Sequence, residues 1–412
     1  MDKEIDEIWA SFSHFLGNRK SEEELIMKQV YLDNAATTAL RPEVIERMTS
    51  VLQQNYGNAS STHSFGRSSK ALLEQCRKNI AAYFNVSAME IIFTSGGTEA
   101  DNLALRSVVR DLGIKEIITS RIEHHAVLHT AEQLQKEYGV EIKYVDIDDC
   151  GIVNYEHLEE LLQSSKKAVV SLMHVNNEIG NILDIEHVAV LCKTNKALFH
   201  TDSVQSVGHY KIDLKAIPID FLAASAHKFH GPKGVGFCFV RKESGLKPLI
   251  FGGEQERGYR AGTESIHNIV GMDEALKMAY TNLDTEKKYV SGLKAYFIER
   301  LNLKLPNCHF NGCSESMVNS TYTLINVALP VAAEKAAMLQ FQLDLKGIAC
   351  SKGSACQSGS SSTSHVLKEI SNSDLLMRPS IRFSFSIYNT KADIDYVIDT
   401  LVEFTGTLQI SK

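Results

Sequence analysis

Residues 221–236 read FLAASAHKFHGPKGVG, and this stretch decides how the rest of the chain is parsed. Phe221–Ala224 is a short unbroken apolar run, the pattern of a strand buried on both faces, and another such run, Val235–Val240, follows closely. Lys228 stands just beyond the first. At the carboxyl edge of a buried sheet an amine can be desolvated, which lowers its pKa and suits Schiff-base chemistry. A solvated loop lysine explains the same position equally well, because lysine is commonest on exposed segments.

Outward from this stretch the texture repeats. Glu90–Ser95, Ile117–Ser120, Ile142–Val145, Ala168–Met173 and Leu198–Asp202 are strand-like, and the amphipathic segments Glu99–Arg110, Val127–Tyr138 and Ile185–Asn195 lie between them. The alternation predicts an α/β fold, a mostly parallel sheet with helices on both faces and ligands at the carboxyl ends of its strands. Beyond about Asn268 a long helical pattern, Met272–Leu301, leads to strand candidates at Ser320–Val327, Gly347–Cys350 and Ile381–Phe385, with helical stretches at Ala333–Leu345 and Lys391–Thr405. We read an N-terminal extension (1–29), a large domain (30–268) and a smaller α+β domain (269–412). Residues 351–364, SKGSACQSGSSSTS, cannot pack a core and read as a mobile loop.

Composition excludes several classes. Of 412 residues, 43 are Lys or Arg and 50 are Asp or Glu, giving a net charge of −7 with no long basic run, so direct nucleic-acid binding is not expected. No apolar stretch approaches the ~18 residues of a membrane span, and the N-terminus lacks the pattern of a signal peptide. Eight scattered cysteines form neither a disulfide framework nor paired CxxC zinc ligands. No resident metal is expected, and a reducing cytoplasm fits best.

Asp202 changes the weight on Lys228. It closes the run Leu198–Asp202 at the same sheet edge, and pyridoxal 5'-phosphate (PLP) needs a carboxylate to keep its pyridine nitrogen protonated. Alone, Asp202 would more often cap a helix. Thr94-Ser95-Gly96-Gly97-Thr98-Glu99 runs from strand through two glycines and a hydroxyl into a helix, which suits a phosphate cradle, although glycine pairs also make simple turns. In Glu123-His124-His125 an imidazole could lie against a cofactor ring or shuttle protons; His125 and His129 default to structural roles.

Nine ordered segments carry a resemblance. YLDNAATT (31–38), FTSGGTEADN (93–102), EHHAVL (123–128), HVNNEIG (174–180), HTDSVQSVG (200–208), SAHKFHGPKGVG (225–236), GGEQERGYRAGTES (252–265), SKGSACQSGS (351–360) and IRFSFS (381–386) resemble the signature segments of PLP-dependent cysteine desulfurases of the NifS/IscS type. The resemblance implies the aminotransferase-like fold (fold type I) of PLP enzymes and a homodimer. It also implies conversion of L-cysteine to L-alanine, with sulfur left as an enzyme persulfide for an acceptor protein such as an iron–sulfur scaffold. Contact with an iron–sulfur cluster would be transient.

By the same resemblance Lys228 would carry the cofactor and Asp202 would hold its ring nitrogen. Gln205 would meet the phenolic oxygen. Gly97, Thr98, Ser225 and His227 would bind phosphate, joined across the dimer by Thr263. His124 would stack on the ring, Asn176 and Arg382 would hold the substrate carboxylate, Asn34 would approach the substrate, and Cys356 would be the nucleophile. Arg382 offers a planar fork that lysine cannot match. Cys356 lies in the Ser/Gly loop, which suits a carrier that must reach the substrate and then another protein. Cys350, six residues upstream at the end of a strand-like run, is its rival with less reach. The long serine-rich loop sets the chain apart from desulfurases with a short Arg-x-Gly-His-His-Cys loop. Residues before Met27 precede the usual family start.

Overall fold

The computed structural model describes residues 28–165, 167–331, 333–352 and 364–406. The chain enters through β1 (Val30–Tyr31), α1 (Pro42–Gln54) and α2 (Ser64–Tyr83). There follow β2 (Ile91–Thr94), α3 (Gly97–Leu112), β3 (Glu116–Thr119), α4 (His125–Tyr138), β4 (Glu141–Tyr144), α5 (Tyr155–Ser164), β5 (Ala168–Ser171), α6 (Ile185–Thr194), β6 (Leu198–Asp202), β7 (Phe221–Ser225) and β8 (Gly236–Val240). Strands β2 to β8 make one seven-stranded sheet in the order β2-β8-β7-β6-β5-β3-β4. Its β3 to β7 pairings are parallel, and β8 runs antiparallel between β7 and β2, so the sheet is mostly parallel as the alternation predicts.

Period-two alternation explains why these strands are apolar throughout. On β7, Leu222 and Ala224 face one apolar layer and Phe221 and Ala223 the other; on β8, Phe237 and Phe239 oppose Cys238 and Val240 in the same way. Helices α1, α2 and α6 cover the first face through residues such as Val44, Leu73, Ile80 and Val188. Helices α3 and α4 cover the second through Ala104, Val108, Val127 and Leu134.

The expected long helix after Asn268 is two helices, α7 (Ile266–Thr281) and α8 (Leu283–Lys304), meeting at Asn282. Each half packs in a different core, which is why the helix breaks. Ile269, Val270 and Leu276 of α7 join the large-sheet layer, whereas Val290, Leu293, Phe297 and Leu301 of α8 join a separate cluster. That cluster surrounds β9 (His309–Phe310), β10 (Leu324–Ala328) and, after α9 (Ala333–Leu345), β11 (Ile348–Ala349), β12 (Ser380–Ser384) and α12 (Lys391–Thr405), whereas α10 (His365–Ile370) and α11 (Ser373–Leu376) pack in a small cluster of their own with Ile122 and Ile179. Strands β12-β10-β9 form an antiparallel sheet, and β1 pairs in parallel with β11, which seats Val30 and Leu32 in this second cluster.

Candidate active site

The carboxyl ends of β6 and β7 and the amino end of α3 converge on a cavity of about 210 Å³. Lys228 lies on a 3₁₀ turn directly after β7, and its Nζ donates to the carbonyl oxygens of Ala35 (2.7 Å) and Ala36 (2.8 Å). Gln205 Nε2 donates to the same Ala35 oxygen at 2.9 Å. Asp202 ends β6 beside them, 6% exposed, with one carboxylate oxygen accepting from Val204 N at 3.0 Å. Burial lifts its carboxyl above the usual carboxylate range, and the charges of His124 and Lys228 pull it part of the way back.

Behind Asp202 stand two further acids. Asp101, on the buried face of α3, borders the same cavity, and its carboxyl is pushed well up by burial and by the charges of Asp202 and Glu123. Glu123 is also fully enclosed; burial raises it to about 8, against hydrogen bonds from Met173 N and Ser120 Oγ. Carboxylates this close oppose one another's ionisation, which adds to burial in raising Asp101 and Glu123.

The opposite end of the cavity is built for an anion. Gly96 caps α3 with φ +151°, and a Cβ at Gly97 would lie 2.5 Å from Val204 Cγ2, so backbone alone fits here. Gly236 pairs with both Thr94 and Ser225, and a Cβ on it would meet the Ala224 carbonyl oxygen at 2.2 Å. This close approach draws the β2 and β7 ends together, with Thr98, Ser225 and His227 on the cavity wall. His227 Nδ1 is buried without a partner among the described residues, and burial together with Lys228 and Lys233 pushes its pKa down to about 4. A carboxylate at one end, a glycine cradle with an orphaned imidazole nitrogen at the other and a lysine between them fit PLP.

His124 caps α4: its Nδ1 accepts from Ala126 N at 3.1 Å, so the ring proton of the neutral imidazole is on Nε2. Arg382, on β12 and 1% exposed, sends Nη1 to the Asn177 carbonyl oxygen (2.6 Å) and Nη2 to Asp33 Oδ1 (3.0 Å). Its Nε is buried with no hydrogen-bond partner among the described residues, a donor left over for a carboxylate.

Two expected substrate residues do not line this cavity. Asn176 donates to the Ile122 carbonyl oxygen at 2.9 Å and accepts from Glu178 N and Ile179 N at 2.8 and 3.0 Å; it borders a different cavity of about 340 Å³. Its neighbour Asn177 lines the Lys228 cavity together with Val175, as alternation along an extended segment requires. Asn34 Nδ2 is bonded to the Ser384 carbonyl oxygen at 2.8 Å, locking the turn after β1 onto β12, and Asn34 lines a second cavity that also touches Gln205 and Lys228. Thr263 is exposed and does not line this chain's own cavity.

Cys356 and most of the expected mobile loop lie outside the described residues. Both flanks of that segment are anchored to residues on or next to the cavity wall. On one side Ser351 bridges to Arg382 through paired backbone hydrogen bonds, and its hydroxyl donates to Asp33 Oδ1 at 2.7 Å. On the other, His365 Nε2 contacts the Glu123 carbonyl oxygen at 2.9 Å, and its ring lies 4.4 Å from that of His125, which stacks at 4.6 Å on His129. The rival Cys350 is half-buried at the end of β11, and burial pushes its thiol up to about 12.

Residues 30–397 match the family model for aminotransferase class-V. The chain belongs to the class-V aminotransferases. It is 41% identical over 376 residues to the cysteine desulfurase IscS of Dictyoglomus turgidum, covering 91% of this chain and 94% of that one. It is 39% identical to the cysteine desulfurase IscS of Methanosarcina thermophila over 386 residues, 93% of each. A solved structure of a NifS-like protein superposes with a TM-score of 0.83 at 34% identity, covering 92% of this chain and 100% of that one. This class-V aminotransferase is a PLP-dependent enzyme of fold type I, in agreement with the sequence reading.

Proposed function

We propose that the chain is a cysteine desulfurase that converts L-cysteine to L-alanine and leaves the sulfur on Cys356 as a persulfide for iron–sulfur cluster or thio-cofactor assembly. The observation that carries this reading is the placement of both loop flanks. Ser351 is bonded to Arg382 of the wall of the Lys228 and Asp202 cavity, and His365 to Glu123, the residue before His124 of that wall, so the described chain on either side of the Cys356 loop is fixed close to the reacting centre.

Asp202 would hold the PLP ring nitrogen, Gln205 its phenolic oxygen, and Gly97, Thr98, Ser225 and His227 its phosphate, completed by Thr263 of the partner subunit in a homodimer. Bound there, PLP supplies an electron sink for the substrate Cα. Arg382 Nε binds the substrate carboxylate, with Asn177 in place of Asn176 beside it. Lys228 Nζ takes the Cα proton, and His124 Nε2 relays protons near the ring. Cys356 as thiolate attacks the substrate sulfur. The new S–S bond forms as the C–S bond breaks, and that electron pair stays with carbon, which gains a proton and becomes the methyl of alanine. Sulfur is oxidised as carbon is reduced, so the step needs no outside oxidant.

We assign cofactor binding to residues 30–268 and the loop to the smaller unit, 269–412, with β1 crossing to pair with β11. Among the described residues no helix is long and apolar enough to cross a membrane. A reducing cytoplasm keeps a carrier thiol available, and we place the protein there.

The test is to incubate the purified holoenzyme with L-cysteine, quantify alanine and locate the added sulfur by peptide mass spectrometry. Alanine with sulfur on the Cys356 peptide is expected. Alanine without sulfur on Cys356 would remove the carrier role, and no alanine would remove the activity.

A further inference from the structure

The turn after β1 touches two of the cavity's working residues at once. It closes on one oxygen: Ala36 N and Thr37 N donate to the Asp33 carbonyl at 3.0 and 3.3 Å, and the Tyr31 hydroxyl donates to it at 3.3 Å. From this closed turn the Ala35 and Ala36 carbonyl oxygens accept from Lys228 Nζ. The Asp33 side chain reaches the other way, to Arg382. Its Oδ1 accepts both from Arg382 Nη2 at 3.0 Å and from the Ser351 hydroxyl at 2.7 Å.

Arg382 needs such a partner. A guanidinium is a rigid plane on a flexible stem, so it meets a carboxylate well only when that plane is set beforehand. Here Nη1 is bonded to the Asn177 carbonyl oxygen and Nη2 to Asp33, which pins both outer nitrogens. Ser351 steers the Asp33 carboxylate in turn, and Ser351 is itself buried and paired through its backbone with Arg382. Asp33 does not line the Lys228 cavity, whereas Arg382 does. An ion pair this enclosed adds little net stability, because desolvation offsets most of the attraction. Orientation is what it supplies.

We propose, resting on the reading of Arg382 as the residue that holds the substrate carboxylate, that Asp33 is a positioning residue for substrate binding. Its carboxylate, steered by Ser351, fixes the plane of Arg382, and the turn it belongs to registers that plane with Lys228. Asp33 acts on the substrate only through Arg382, so it serves the carboxylate of an amino acid and is indifferent to the amine.

The test separates those two groups. L-alanine and ethylamine offer the cofactor an amine on the same two-carbon frame, and only L-alanine adds a carboxylate. Dissociation constants for both are read from the change each makes in the visible absorbance of the holoenzyme. Asp33→Ala should weaken L-alanine roughly ten- to hundredfold, the scale of a lost charged hydrogen bond, and leave ethylamine unchanged. Asp33→Asn keeps an oxygen for Arg382 Nη2 and the Ser351 hydroxyl, and should recover most of the L-alanine binding. Ser351→Ala loses only the steering bond and should weaken L-alanine roughly two- to tenfold. Unchanged L-alanine binding in Asp33→Ala, beside weakened binding in Arg382→Lys, would overturn the positioning role and leave the reading of Arg382 standing. Equal losses for L-alanine and ethylamine in Asp33→Ala would overturn it as well. L-alanine binding untouched by Arg382→Lys would overturn both. If Asp33→Ala takes up no cofactor, Ser351→Ala decides by the same comparison.

Discussion

Ser351 and Arg382 are backbone partners: Arg382 N donates to the Ser351 carbonyl oxygen at 2.7 Å, and Ser351 N to that of Arg382 at 3.3 Å. The residue that leads into the Cys356 loop is thus fixed to the residue proposed to hold the substrate carboxylate. Arg382→Lys cannot bond Asn177, Asp33 and a substrate oxygen in one plane. Loss of a charged hydrogen bond is worth about 1.5–3 kcal/mol. KM for L-cysteine should rise roughly ten- to hundredfold, read from initial rates of alanine formation. An unchanged KM would detach Arg382 from the carboxylate.

Asn177 and Asn176 should separate cleanly. Asn177→Ala should weaken L-cysteine binding with little change in thermal stability. Asn176→Ala strips partners from two buried backbone N–H groups and the Ile122 carbonyl oxygen. It should lower stability by about 1–3 kcal/mol per group left unpaired, measured by denaturant unfolding. The reverse pattern would return substrate binding to Asn176.

Cys356→Ser should bind PLP and L-cysteine, seen in the visible spectrum, yet form no alanine, because a hydroxyl is a poor nucleophile toward sulfur. Cys350→Ser should stay largely active, since burial keeps that thiol protonated at neutral pH. A dead Cys350→Ser beside an active Cys356→Ser would reassign the nucleophile.

Glu123 gives the enzyme a pH signature. Its folded-state pKa of about 8 lies above the ordinary 4.5, so the folded protein binds a proton that the unfolded chain releases between those values. The stabilising contribution is complete below pH 4.5 and is lost as pH rises to 8, at about 1.4 kcal/mol per pH unit. Glu123→Gln keeps the acceptor for Met173 N and removes this slope. The variant should gain stability over the parent at pH 8 relative to pH 5, measured by thermal unfolding at both. Parallel pH profiles would contradict a buried, protonated Glu123.

Thr263 tests the dimer. Thr263→Ala and Lys228→Ala homodimers should both be impaired, and mixing them should form hybrids with one intact site and one doubly damaged site, restoring part of the turnover. A fully active monomer, or no recovery after subunit exchange, would exclude a shared phosphate site.

The large sheet is legible because strands buried on both faces lose their polar alternation and become unbroken apolar runs. Helix α2 is less so. It starts in HSFGRSS, where a histidine cap, a glycine and serines spell a turn; Gly66 is there because a Cβ would meet the Ser61 carbonyl oxygen at 2.3 Å. The break at Asn282 is also hidden, since no glycine or proline marks it and only the cores that the two helices enter differ. Lys228, Asp202 and the glycine cradle announce themselves by following strands. The two adjacent asparagines cannot be told apart without the phase of the extended segment, which the Val175–Ile182 bridge sets in three dimensions. Asp101 reads as one more polar residue of a helix, and only its enclosure beside Asp202 shows its part.

The pairing of Val30 with Ile348 and Tyr31 with Ala349 joins residues more than three hundred positions apart. Synthesis proceeds from the N-terminus, so β1 has no partner until nearly the whole chain has left the ribosome. Every strand of the seven-stranded sheet lies between Ile91 and Val240, so that sheet can assemble while the rest is still being made. Arg382 arrives with the last strand. A nascent chain can therefore assemble the large sheet that carries Lys228 and Asp202 before Arg382, the residue proposed to hold the substrate carboxylate, has been made.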